Sequence, residues 1–338
     1  VMLLPWQQGD WARLNAERDR LPNAWLFTGA AGIGKLEFAE HLAQSLLCER
    51  PQAGHRPCGE CEACRWYLHG THPDFRRLSP LGDEDEEGKE GAEGKKVSRK
   101  LPVIKIEAVR EVIDFAHLSA HRAGRRIVLV EPAESLNPAA ANALLKILEE
   151  PPAEVLFLLV AHAPQRLLPT IRSRCRQFPL TRPDQAQALA WLREQGVADA
   201  ELELAHNGGA PLFDHDPALA KLRGQFVQGL AQPSFANVLQ LAEAVDKQKL
   251  PLLLPIGWLM KWLHDLASLR LAGLLRYYPD QERALQQLSA RADIAQLMAC
   301  QQTLNQLAPF GQHTLNTRLQ LEAVLMDYLK IFASGKAA

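Results

Sequence analysis

The segment Gly29-Ala30-Ala31-Gly32-Ile33-Gly34-Lys35-Leu36 has residue types and spacing suited to cradling phosphate. Glycines let successive backbone N–H groups curl around an anion, and a helix beginning at the lysine adds a favourable dipole. Lys35 would reach the β- and γ-phosphates. The next position calls for a Ser or Thr hydroxyl to ligate magnesium, and Leu36 offers no oxygen. A second element is also altered. The apolar stretch Arg126–Val130 ends in Glu131-Pro132. Glu131 could stand in for a magnesium-binding acid, but Pro132 can neither accept a proton nor orient water. Gly29, Gly32, Gly34 and Lys35 are therefore candidate nucleotide-binding residues in a site lacking two catalytic parts. Whether ATP still binds there is open on sequence alone.

Cys58, Cys61 and Cys64 follow a C-x-x-C-x-x-C spacing, with Cys48 ten positions upstream of the first. Four thiolates can close a tetrahedral site, the usual geometry of structural zinc. An iron–sulfur pattern would add a cysteine after three more residues, and position 68 is Leu68. The fourth ligand is open on spacing alone: Cys48 could be a core residue, with His55 or His69 completing the set. Closure by four protein ligands would make the metal structural rather than catalytic.

Arg172-Ser173-Arg174-Cys175 supports two readings. One is an exposed arginine cluster. The other is an arginine finger, a rigid guanidinium aimed at a neighbouring subunit's γ-phosphate.

The elements that must position these residues are of two kinds. Ala24–Thr28, Arg126–Val130 and Val155–Val160 read as strands, the last two as continuous apolar runs suited to a parallel sheet buried on both faces. Arg176-Gln177-Phe178 is strand-like. A helix is expected from about Gly34 to Cys48. Another should start at Asn137 as N-cap, with Pro138 in its first position and an apolar stripe at Ala141, Leu144, Leu145 and Leu148. Glu149-Glu150-Pro151-Pro152 ends it. Residues 82–100 form a low-complexity insertion, acidic then basic, that reads as a solvated loop. After Phe178-Pro179-Leu180 the strands stop. Residues 184–213 read as short helices broken at Gly196 and Asn207-Gly208-Gly209, and 217–335 as helices with breaks near Pro233, Pro251, Pro279 and Pro309. Trp258 and Trp262, four residues apart, read as helix packing.

A chain of 338 residues suggests two or three domains, and an apolar fraction of 47% is ample for their cores. The formal net charge of -1 gives no whole-chain signal for nucleic acid. No apolar run is long enough for a bilayer span, and the first residues lack the pattern of a signal peptide, so no membrane partner and a cytoplasmic location are expected.

The order of these pieces carries a resemblance. A P-loop, an inserted four-cysteine module, a degenerate acid strand, Ala-Asn-Ala-Leu-Leu-Lys-Ile-Leu-Glu-Glu-Pro-Pro at 141–152 and Ser-Arg-Cys at 173–175 together resemble the bacterial DNA polymerase III clamp-loader family. The resemblance implies an α/β P-loop NTPase (AAA+) domain at 1–180 with a zinc module at 48–64, a small helical lid at 181–213 and an all-helical collar at 214–338. It implies Cys48 as the fourth zinc ligand and Arg174 as a finger acting in trans. In the family, motor subunits (gamma/tau) carry Lys-Thr or Lys-Ser in the P-loop, Asp-Glu in the acid motif and an ATP-sensing arginine after Gly-Ser-Leu. This chain has Lys35-Leu36, Glu131-Pro132 and Gly209-Ala210-Pro211-Leu212 instead. It therefore resembles the family's non-hydrolysing stator rather than an active motor, which is the alternative. The implied partners are the gamma/tau motors and the clamp-opening delta subunit in a hetero-pentamer. Through that complex, a component of the DNA polymerase III holoenzyme, the sliding clamp and primed DNA are also partners.

Overall fold

A computed structural model of the chain describes residues 2–80, 103–121, 124–307 and 317–333. The insertion expected at 82–100 lies outside them. The described residues fall into two compact units. One holds the chain up to Ala188 together with Ala210–Leu212, and the other holds Leu189–Gly209 and the residues from Phe213 onward.

The first unit is built on five parallel strands: β1 (Ala24–Thr28), β2 (Phe75–Leu78), β3 (Arg126–Val130), β4 (Val155–Val160) and β5 (Arg176–Pro179). Their spatial order is β2-β3-β4-β1-β5. Helices cover both faces: α1 (Gln8–Asn15), α2 (Lys35–Leu47), α3 (Glu62–Leu68), α4 (Ile106–His117), α5 (Pro138–Glu149) and α6 (Pro169–Arg174). The strand period of two sorts side chains between two cores. Leu26, Val128, Val130, Phe157 and Leu159 pack with Val109, Val112, Leu144 and Leu148 of α4 and α5. Trp25, Phe27, Ile127, Leu129 and Leu158 pack with Phe38 and Leu42 of α2 and with Trp11. This double burial is why β3 and β4 read as unbroken apolar runs.

Asn137 caps α5, its Oδ1 accepting from the Ala140 N–H at 2.7 Å with Pro138 at the first position. Of the expected stripe, Ala141, Leu144 and Leu148 are buried and Leu145 half-buried, while Ile147 is buried as well. Two elements go beyond the sequence expectations. The strand β2 is short, lies at the sheet edge and exposes Arg76 and Arg77, so it shows no apolar run. The helix α4 pairs with α5 through Val109, Val112 and Phe115.

The division between the units falls within α7 (Gln185–Glu194). The second unit is helical: α8 (Ala200–His206), α9 (Pro217–Leu230), α10 (Phe235–Lys247), α11 (Leu253–Ala272), α12 (Glu282–Arg291), α13 (Ile294–Leu307) and α14 (Thr317–Lys330). The expected breaks at Pro233 and Pro251 separate α9, α10 and α11, and Pro279 precedes α12; Pro309 lies outside the described residues. Trp258 and Trp262 are core residues, as their spacing suggests. Trp262 Nε1 donates to the Tyr328 hydroxyl at 3.0 Å, which donates to the Leu230 carbonyl at 2.7 Å, tying α11, α14 and α9 together.

Asp265 is fully buried on α11 and accepts backbone N–H groups from Arg276, Tyr277 and Tyr278 at 3.1, 2.9 and 2.8 Å. Three backbone donors, that of Tyr278 buried, lose their acceptor in Asp265→Ala. The expected loss is about 3 kcal/mol, a fall of roughly 6–12 °C in melting temperature. Asp265→Asn, keeping one oxygen, should fall in between. An unchanged Tm for the alanine variant would show that this turn is held by its packing.

Candidate functional site

The glycine loop joins β1 to α2. Gly29, Gly32 and Gly34 have φ of 144°, 72° and 88°, conformations that favour glycine. The loop thus has the backbone shape of a phosphate cradle, and its carbonyl groups are tied to the rest of the chain. Lys35 is 2% exposed, and its Nζ donates to the carbonyls of Gly29 and Ala30 at 3.1 and 2.6 Å. Burial lowers its pKa to about 8, against the opposing charges of Glu134 and Glu37. The amine expected to reach phosphates is bound to its own loop.

Other parts of the unit close on the same loop. The Leu212 N–H donates to the Gly32 carbonyl at 3.0 Å. A Cβ built on Gly32 would lie 2.5 Å from the Leu212 oxygen, so no larger residue fits. Residues 210–212 thus form a backbone clasp on the loop. From the other end of the chain, Gln7 Nε2 donates to the Gly34 carbonyl at 2.5 Å and Trp6 Nε1 to the Ile33 carbonyl at 2.9 Å. Leu36 is half-buried against the core shared by α2 and the sheet. An apolar side chain is therefore used for packing where a hydroxyl would be needed for a metal.

The acid position is also neutralised from within. Glu131 follows β3 and pairs with Arg77 Nη2 at 3.1 Å, while Arg77 Nη1 reaches Glu40 at 2.9 Å. His162 lies 3.8 Å from the same carboxylate. The His162 ring and the Arg77 guanidinium hold the Glu131 carboxyl below its ordinary range. The acid whose charge acts most on Lys35 is Glu134, which the motif reading passes over. Its Oε1 accepts the His162 and Ala163 N–H groups at 2.9 and 2.8 Å. Its sequence signal is an acid three residues beyond Glu131, in the loop that follows the strand.

The four cysteines meet at a separate place. Cys48 Sγ lies 3.6 Å from Cys58 Sγ and 3.9 Å from Cys61 Sγ, and Cys58 Sγ lies 3.9 Å from Cys64 Sγ. All four sulfurs lie within 4.8 Å of one another. A tetrahedral zinc with bonds of about 2.3 Å requires sulfurs about 3.8 Å apart, so the donor set fits. Cys48, at the end of α2, is thus in the cluster rather than in a core. Backbone N–H groups point at the sulfurs, from Cys58 to Cys48, Cys61 to Cys58 and Cys64 to Cys61, at 3.3–3.4 Å. Such donors favour thiolates. The Glu60 and Cys61 N–H groups hold Cys58 down to about 6, while burial pushes Cys64 up.

Arg174 stands at the end of α6, with its side chain 35% exposed. Its Nη1 donates to the Thr170 carbonyl at 3.1 Å, and its Nη2 pairs with Glu149 Oε1 at 2.5 Å. The flanking Cys175 is buried with Ile171 and Leu148 in the core under α5. Among the described residues, no hydrogen bond or ion pair joins Arg174 to the glycine loop. Its guanidinium is held by α5 and α6 and not by this chain's own phosphate cradle.

Comparison with known proteins agrees with these features. A family model described as DNA polymerase III, delta subunit, matches residues 10–184, and a second, for the C-terminal part of the delta subunit, matches 217–329. The delta' subunit of DNA polymerase III from Pseudomonas aeruginosa is 36% identical over 98% of this chain and 99% of its own. That of Escherichia coli is 38% identical over 60% of this chain and 55% of its own. The E. coli tau subunit is 34% identical over 68% of this chain but only 30% of its own length. With an α/β unit built around a glycine loop, a match to the family model over half the chain and a full-length relative, the chain belongs to the family of DNA polymerase III delta-prime subunits.

Proposed function

We propose that this chain is the stator of a DNA polymerase III clamp loader, unable to hydrolyse ATP itself but supplying Arg174 to a neighbouring motor's active site. The observation that carries the reading is the state of the phosphate loop. Lys35 binds its own loop carbonyls, Leu212 clasps Gly32 and Leu36 packs where a magnesium ligand is required. A loop so tied retains its shape as scaffold while lacking the magnesium ligand that hydrolysis needs. Arg174 is the one charged group of the Ser-Arg-Cys motif, and it is both oriented and half-exposed, as a group acting on another subunit must be.

In this reading, residues 1–180 form the AAA+ domain, 181–213 the lid and 214–338 a collar that holds the chain in a hetero-pentamer with gamma/tau motors and the delta subunit. The pentamer opens the sliding clamp and places it on primed DNA in the cytoplasm. No helix among the described residues is long and apolar enough to cross a membrane. Cys48, Cys58, Cys61 and Cys64 would hold a structural zinc that orders the 48–64 segment.

The isolated chain is expected to show no Mg-ATP turnover above background. Millimolar Mg-ATP should also leave its melting temperature unchanged, since a ligand that binds only the folded state raises it by mass action. Magnesium-dependent turnover abolished by Lys35→Ala would overturn the stator reading in favour of an active motor.

A further inference from the structure

We propose that Glu149 is the positioning residue for Arg174, so that the Leu-Glu-Glu-Pro-Pro and Ser-Arg-Cys motifs form one device. This rests on the reading of Arg174 as a finger acting in trans.

Glu149 is the last residue of α5. A carboxylate there faces the negative end of the helix dipole, a placement disfavoured by about 0.3–1 kcal/mol, and Glu150 follows it. Helix stability alone would favour a cation or a neutral residue at this position. What the structure sets against the Glu149 carboxylate is the Arg174 guanidinium, 2.5 Å away.

The pair stands on a rigid base. Ile147 and Leu148 of α5, Ile171 of α6 and Cys175 just beyond it are buried in the same core. Pro151-Pro152 follows closely on the first helix, so the end that carries Glu149 cannot lengthen to move it. The guanidinium is then held at both arms, Nη1 by the Thr170 carbonyl with Ser173 Oγ at 3.5 Å, and Nη2 by Glu149. Contacts on both arms of a planar fork restrict its orientation, and none engages Nε.

Magnitudes separate positioning from sequestration. An exposed ion pair is worth about 0–1 kcal/mol. That is too little to withhold a guanidinium from a phosphate group of higher charge. It is enough to bias the rotamers of a side chain carrying about 2 kcal/mol of rotamer entropy. A group already ordered contributes more to a transition state, because its ordering is done beforehand.

The test uses the complex reconstituted with motor and delta subunits, the other motor sites being disabled through their own P-loop lysines. Glu149→Ala should lower kcat for ATP at the adjoining site about tenfold, leaving KM for ATP, assembly and melting temperature unchanged. Glu149→Gln, which keeps an acceptor of the same reach, should restore part of the loss. In an Arg174→Ala background, Glu149→Ala should add nothing, since the two act as one unit. An unchanged or raised kcat for Glu149→Ala, with Arg174→Ala still impaired, overturns the positioning role and leaves the finger standing. If Arg174→Ala itself has no effect, the finger reading fails and this inference with it.

Discussion

Arg174→Ala in the reconstituted complex is expected to abolish ATP hydrolysis at the one motor site that adjoins this chain, while the chain folds and assembles normally. An arginine finger contributes about 10³–10⁵ in rate where it supplies the main positive charge at a phosphoryl transition state. Because a ring has other motor sites, bulk ATPase should fall partially, and clamp loading, which needs the sites to act together, should fall further. Stability should hardly change. The side chain is 35% exposed and its partner Glu149 43% exposed, so the pair contributes little to the fold. Arg174→Lys should fail almost as badly, because an ammonium cannot hold Thr170 and Glu149 while offering a planar fork to phosphate. Normal DNA- and clamp-stimulated ATPase together with normal loading in the alanine variant would remove the assignment and leave an ordinary surface arginine.

The second large effect is expected at the cysteines. Purified chain should carry one zinc, and Cys61→Ser should lose it. Zinc in small peptide sites supplies about 10–16 kcal/mol of apparent binding energy, and Cys61 is central to this one. It is 1% exposed, its Sγ caps α3 by accepting from the Cys64 N–H, and its own N–H points at Cys58 Sγ. Few apolar contacts could replace the metal, since the cluster's own buried core is limited to Cys61, Ala63 and Cys64. The damage should nonetheless stay local. Beyond the module, Tyr67 of α3 packs into the sheet core and donates to the Glu40 carbonyl at 3.1 Å. At its other end Trp11 Nε1 donates to the Gly54 carbonyl at 2.9 Å. Metal removal should therefore open residues 48–64 to proteolysis while the α/β unit still melts cooperatively. Zinc retained fully by Cys61→Ser, or no zinc in the native chain by metal analysis, would count against the four-cysteine set.

What the sequence by itself determined were features written in neighbouring residues. The apolar runs of β3 and β4, the Asn137-Pro138 start of α5, the C-x-x-C-x-x-C spacing and the glycine loop each depend on a local period, cap or turn, and each stands where its residues place it. The absence of a magnesium ligand at Leu36 was legible for the same reason. The edge strand β2 was not, because Arg76 and Arg77 interrupt its apolar pattern and only pairing with β3 makes it a strand. Nor could any local pattern show what ties the phosphate loop to the rest of the chain. Leu212 closes on Gly32 from the far end of the α/β unit's sequence, and Gln7 reaches Gly34 across 27 positions. Lys35, 2% exposed, takes the Gly29 and Ala30 carbonyls as its acceptors. The Glu149–Arg174 pair likewise joins two motifs that are separate in sequence, brought together by the packing of α5 on α6. Helix caps, strand periods and ligand spacings are short-range and can be read along the chain; the ties that hold a loop and the orientation of a guanidinium depend on long-range packing, which the tertiary structure alone supplies.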